Sequence, residues 1–328
     1  MQSESGSEAI VPLLDGTAEK LAGRIGLSRL AYPVFDKAGV EVFCKRDELL
    51  HPTASGNKLY KLWGHLQLAR QQGARGLCTF GGYYSNHLHA LARVGRALGI
   101  PTLGFVRGHE PRQWSATLRD CRHWGMELQF LSRLDYRAAC DGHGGATPQG
   151  YYCVPEGGGG APGLVGCRAL GQWLGIQLQP GDNLCLATGT GTTLRGILQG
   201  LEDCGARQDI MAFAALRLGP GLPAYRQQLL QGLSPACAAR VTVQDEQSFG
   251  GFGRVKPELL EFMVDFEAQT GVGLDPVYTG KMLYAISQLA AQGHWRRGTR
   301  LVVLHSGGLQ GRRGVPGLDS TAAEGEWA

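Results

Sequence analysis

No stretch of this 328-residue sequence approaches the ~20 consecutive apolar residues of a membrane-spanning helix. The opening MQSESGSEA carries neither a basic nor an apolar segment, so no secretory leader and a cytoplasmic location are expected. There is little excess of charge of either sign. Thirty-two Lys and Arg face 28 Asp and Glu, and basic clusters such as Arg296-Arg297 and Arg312-Arg313 are too short for a nucleic-acid groove. No CxxC pair occurs among the nine cysteines, and their odd number predicts reduced thiols rather than disulfides. Several lie in apolar runs (Phe43-Cys44, Leu77-Cys78, Leu184-Cys185-Leu186), where a thiol packs as a small core residue. Glycine is what the chain has in quantity. Its 51 glycines follow no fixed period, which excludes collagen and low complexity and points to tight turns and backbone approach to ligands.

Short apolar runs alternate with helical patterns, which predicts an α/β fold with largely parallel strands. Strands are expected near residues 40–44, 76–80, 102–106, 127–130, 151–154, 183–187, 210–214, 240–243 and 299–304. Helices are expected over 57–71, 86–98, 112–124, 164–174, 193–204, 222–232, 257–270 and 280–291. Residues 1–10 and the tail after Gly311 lack periodicity and are expected to be mobile.

Four glycine-bearing loops fall at expected strand ends, where open α/β sheets bind ligands: Gly81–Asn86, Ala187–Thr193, Phe249–Gly253 and His305–Gly308. Thr188, Gly189, Thr190, Gly191, Thr192 and Thr193 follow a strand and open a helix, a combination of amides and hydroxyls suited to phosphate. No Lys-Ser/Thr follows, so this is not a Walker loop. Leu194 stands where a dinucleotide fingerprint needs its third glycine. Ser85 and Asn86 sit at a helix start, as capping residues or in a carboxylate pocket. His87 and His89, two apart on a helix, face different ways and make no metal site. Lys58, Lys61 and Lys281 are the lysines open to covalent chemistry, and spacing alone does not choose among them.

The ordered segments KRDELLHPTASGNKLYKL (Lys45–Leu62), GGYYSNH, GTGTTLRG, DPVYTGK and HSGG resemble the family of 1-aminocyclopropane-1-carboxylate deaminases and D-cysteine desulfhydrases, over residues 25–311. These are fold type II pyridoxal phosphate enzymes related to the tryptophan synthase β subunit. The resemblance implies two open, twisted, largely parallel sheets flanked by helices, with pyridoxal 5′-phosphate in the cleft between a larger and a smaller domain. Residues 1–55 and 164–328 would form the larger cofactor-binding domain, 56–163 the smaller one, and 312–328 a mobile tail. It implies a homodimer acting on a small amino acid. Lys58 would carry the cofactor as a Schiff base, Asn86 would bond its 3′-oxygen, and the loop Thr188–Thr193 would cradle its phosphate. Ser85 and the amides near His87 would meet the substrate, with Tyr278 as the active-site tyrosine. Thr279 and Ser306 would offer neutral hydroxyls near the ring nitrogen, as in the desulfhydrases. Phe252 stands where the family places a second tyrosine, removing a hydroxyl near the substrate. The implied reaction is β-elimination from D-cysteine to pyruvate, sulfide and ammonia, with Lys58 taking the Cα proton. Alternatives are the deaminase reaction to 2-oxobutanoate and ammonia, action on another D-amino acid such as D-serine, and a catalytically silent cofactor- or nucleotide-binding protein.

Overall fold

The computed structural model describes residues 10–54, 56–143 and 147–318. Helices α1 (Ile10–Asp15), α2 (Ala18–Gly23) and α3 (Pro33–Ala38) surround β1 (Leu27–Arg29) and lead into β2 (Glu41–Arg46). Then come α4 (Asn57–Gln71), β3 (Gly76–Gly81), α5 (Asn86–Leu98), β4 (Thr102–Arg107), α6 (Ala116–His123), β5 (Met126–Leu131), α7 (Arg133–Cys140) and β6 (Tyr151–Val154). The chain continues through α8 (Gly160–Gln177), β7 (Asn183–Thr188), α9 (Thr192–Asp203), β8 (Asp209–Ala214), α10 (Leu222–Leu230), α11 (Pro235–Ala239) and β9 (Val241–Gln244). It ends with α12 (Pro257–Thr270), α13 (Thr279–Ala291), β10 (Arg300–His305) and a 3₁₀ turn, Leu309–Gly314.

Two sheets result. The larger has strand order β1-β2-β10-β7-β8-β9, and the smaller β5-β4-β3-β6. All pairings are parallel except that of β1 with β2. Strands covered on both faces read as unbroken apolar runs; Leu301-Val302-Val303-Leu304 in β10 and Leu184-Cys185-Leu186 in β7 are buried throughout. The expected bounds of α4 and α5 agree with the structure to the residue. The α1–α3 region showed no pattern in the sequence because each helix spans only six residues, under two turns.

Glycine has a second use that the sequence reading did not anticipate. Helices α4, α8 and α9 pack so closely that a Cβ added at Gly166 would collide with the carbonyl oxygen of Tyr60. One at Gly171 would strike that of Ile197, and one at Gly200 that of Arg168. These helical glycines admit a neighbouring backbone, and they let α8 pack closely against both α4 and α9, whose first turns meet at Asn57 and Thr193.

Residues 309–318 cross from the larger sheet to the helices of the smaller. Arg312 is buried, donates to Leu274 O at 3.0 Å and pairs with Glu267. Arg313 pairs with Asp120 of α6, and Leu318 is buried in the core. The expectation of a mobile end covered 312–328, of which 319–328 lie outside the described residues, as do 1–9 at the other end. Among the described residues no helix is long and apolar enough to cross a membrane.

Candidate functional site

Lys58 is the second residue of α4. The turn before it is held from two sides: Gly56 N donates to Asp47 O at 3.0 Å, and Asn57 N to Ser306 O at 3.1 Å. Gly56 has φ +69°, and a Cβ there would overlap the Ser306 carbonyl, so the segment before Lys58 lies flush against the loop after β10. The Asn57 side chain donates to Thr193 Oγ1 at 3.0 Å, linking α4 to the first turn of α9. Lys58 Nζ donates to Asn57 Oδ1 at 2.7 Å. Burial, and next the charge of Lys61, push its amine down to about 7.

Helix α9 opens at Gly191, in a left-handed conformation (φ +86°), with no side chain capping the first amides. An uncapped helix start leaves N–H groups free to meet an anion. Thr192 and Thr193 are buried there, while Thr190 is exposed. Thr188, at the end of β7, lies 3.2 Å from Tyr225 Oη, which donates to Gly189 O at 2.5 Å. Tyr225 thus braces the loop from behind, a role with no signal in the sequence.

Lys61, one turn beyond Lys58, is buried and donates to Gly157 O at 3.0 Å. Burial lowers its pKa too. His87 is buried with no partner at either ring nitrogen. Burial, then Lys58, Lys61 and His65, hold it well below the usual histidine range, so it is neutral. Spacing i, i+3 from Lys58 was the signal that could have promoted Lys61.

Across the cleft, Ser85 caps α5 by accepting from Leu88 N at 3.2 Å. Asn86 Oδ1 accepts from Gln310 Nε2, and Gly308 packs against the Asn86 amide, where a Cβ would lie 2.6 Å from Nδ2. The structure therefore brings Asn86 to the His305–Gly308 loop, and Ser306 to the Lys58 turn.

The Tyr278 ring lies against Gly189, 3.0 Å from where a Cβ would stand, and meets Phe252 edge to face with centroids 5.9 Å apart. Burial first, then Asp275, raise its pKa. Thr279 is fully buried, and its hydroxyl donates to Asp275 Oδ2 at 2.7 Å while accepting from Asp275 N at 3.0 Å. The same carboxylate accepts the amides of Val277, Tyr278 and Thr279 at 2.7–2.9 Å, which fixes the turn that aims Tyr278. Thr279 and Asp275 thus act as one structural unit. Phe252 is 56% exposed at the mouth. Its loop is anchored by Lys281, whose Nζ donates to Ser248 O and Gly251 O, both at 2.8 Å. Behind Tyr278 and Lys281 lies a small cavity of about 80 Å³, lined also by Gln244, Glu246 and Gln288.

These residues fit pyridoxal phosphate. An uncapped helix start suits its phosphate, half-buried Lys58 and buried Lys61 stand close by, and the orphaned His87 imidazole is a buried polar group awaiting a partner.

Comparison with known proteins agrees. Residues 25–307 match the family described as pyridoxal-phosphate dependent enzymes. A Pyrococcus horikoshii protein, named provisionally as a 1-aminocyclopropane-1-carboxylate deaminase, is 28% identical over 283 residues, covering 83% of this chain and 86% of its own. A D-cysteine desulfhydrase of Serratia proteamaculans is 27% identical over 305 residues, covering 86% and 89%. The crystal structure of an ACC deaminase homologue superposes with TM-score 0.71 at 24% identity, over 94% of this chain and 96% of its own. That likeness concerns the fold.

Proposed function

Given that the chain belongs to the pyridoxal-phosphate dependent enzyme family, we propose that it is a lyase that releases sulfide and ammonia from D-cysteine, with Lys58 as its cofactor-bearing residue. The carrying observation is the state of Lys58: an amine lowered to about 7, tied through Asn57 to the uncapped start of α9. The names of the relatives, a deaminase and a D-cysteine desulfhydrase, support the lyase class.

Bound pyridoxal phosphate supplies an electron sink that makes a substrate Cα–H acidic. The protein's residues do the rest. The first amides of α9 and the hydroxyls of Thr192 and Thr193 hold the phosphate, with Lys61 as its nearby cation. Asn86 Nδ2, whose companion oxygen is taken by Gln310, is free to donate to the ring 3′-oxygen. Lys58 Nζ accepts the Cα proton, since an amine titrating near 7 is about half unprotonated at neutral pH and increasingly so above it. The start of α5 at Ser85–His87 receives the substrate carboxylate. Tyr278 stays protonated and donates or positions at the leaving group. Because Thr279 gives its proton to Asp275, Ser306 is the neutral hydroxyl assigned to the ring nitrogen.

Phe252 brings no hydroxyl to the mouth, which favours simple elimination over opening of a cyclopropane ring. The test is a single preparation. Borohydride should bleach the visible band of the purified holoenzyme and leave the added mass on the Lys58 peptide. D-cysteine should then yield sulfide, and 1-aminocyclopropane-1-carboxylate little 2-oxobutanoate. A colourless protein indifferent to pyridoxal phosphate overturns the reading. So does 2-oxobutanoate as the faster product.

A further inference from the structure

Outside this site, two cysteines face each other. Cys78 in β3 and Cys153 in β6 are register partners in adjacent parallel strands, so their side chains leave the same face of the sheet. Neighbouring strands lie about 4.8 Å apart, within the Cα separation of about 4.4–6.8 Å that a disulfide spans. On that face they join a satellite core of Phe80, Phe105 and Tyr136 beneath α7. Cys78 is buried and Cys153 is partly exposed, so one sulfur is reachable and the other waits behind it.

From this arrangement we propose that Cys78 and Cys153 form a reversible dithiol site that hydrogen peroxide oxidises to a disulfide. The Cys153 thiolate attacks one peroxide oxygen; an S–O bond forms, the O–O bond breaks, and hydroxide leaves as water after taking a proton. Cys78 sulfur then attacks Cys153 sulfur; the S–S bond forms, the S–O bond breaks, and the second water carries off the Cys78 proton. Two thiols lose two electrons, and one peroxide becomes two waters. The surroundings favour Cys153 as the attacking sulfur. Hydrogen bonding from Cys78, and from Thr147, lowers its pKa, while the same partnership raises that of Cys78. Titratable groups nearby include Cys140, Tyr136, Glu156, Asp141 and Tyr152.

The site is placed to be felt at the lysines. One residue beyond the pair, Thr79 Oγ1 donates to Val154 O at 2.7 Å. Past Pro155, Gly157 O accepts from Lys61 and Glu156 accepts from Tyr136 at 2.8 Å. Drawing β3 and β6 together at Cys78–Cys153 therefore pulls on the wall that holds Lys61.

The test needs no substrate. The intact protein is treated with hydrogen peroxide, and free thiols are counted before and after from an initial nine. Peptides are mapped without reductant, using cleavage after Tyr152 and after Glu156 to separate Cys153 from Cys140 and Cys167. The expected result is a loss of two thiols, a Cys78–Cys153 peptide lighter by two hydrogens, and full recovery with dithiothreitol. Cys153→Ser should give no such link, and Cys140→Ser should leave it intact. Should Cys78→Ala fail to fold, the wild-type map and Cys153→Ser decide. Nine surviving thiols, oxidation confined to exposed Cys140 and Cys204, or a Cys140–Cys153 link would each overturn the proposal.

Discussion

Two ammonium groups on one turn of a helix repel, and burial makes that repulsion expensive. Lys58 and Lys61 are in this position, and the lower pKa of Lys58 records it. Lys61→Met removes the charge, so the Lys58 amine should titrate above about 7 and be less available at neutral pH. The pH profile of Lys58 labelling in the cofactor-free protein measures this, and an unmoved profile would assign the depression to burial alone. Gly56→Ala should be far harsher. Its Cβ meets the Ser306 backbone at φ +69°, so a loss of about 3 kcal/mol or more in denaturant unfolding is expected, with weakened cofactor binding. The sequence made Lys58 legible only through the order of its flanking motifs. Asp275 passed unnoticed because its role is to accept four hydrogen bonds from its own turn, and no spacing rule marks that.

At the scale of elements, the α4–α8–α9 contact depends on side chains that are absent. Gly171→Val would place two methyl groups against the Ile197 backbone and should cost about 1–3 kcal/mol or more, read from the urea midpoint. The loop carrying Phe252 is tied to the helix instead by the ammonium of Lys281. Lys281→Met removes the charged donor from the carbonyls of Ser248 and Gly251, which keep only the backbone amides of Gly251 and Arg254, at about 1–3 kcal/mol. Faster chymotryptic cleavage after Phe252 should accompany it. Strands and long helices were readable from the sequence because parallel strands buried on both faces are continuously apolar. The glycines of α8 were not, since a helical glycine that receives another backbone looks like any other helix-weakening residue.

At the scale of the molecule, the two sheets are joined by the α4–α8 contact and by residues 309–318. Arg313 reaches Asp120 on α6, and Gln310 reaches Asn86 on α5. Arg313→Ala should cost about 1 kcal/mol and raise amide exchange in α6 more than in β10, which hydrogen-exchange mass spectrometry can resolve. Strand β10 has one further consequence. It sits between β2 and β7, yet it is the last strand of the chain, pairing Arg300 with Glu41 across most of the sequence. The smaller sheet is assembled from consecutive strands, β3 to β6, and can close early during synthesis. The larger one must wait with its central slot open, β2 and β7 each showing an unpaired edge to other nascent chains. A ribosome stalled before residue 300 would hold a finished small sheet beside a sticky, half-built large one, and the demand for chaperones should peak there.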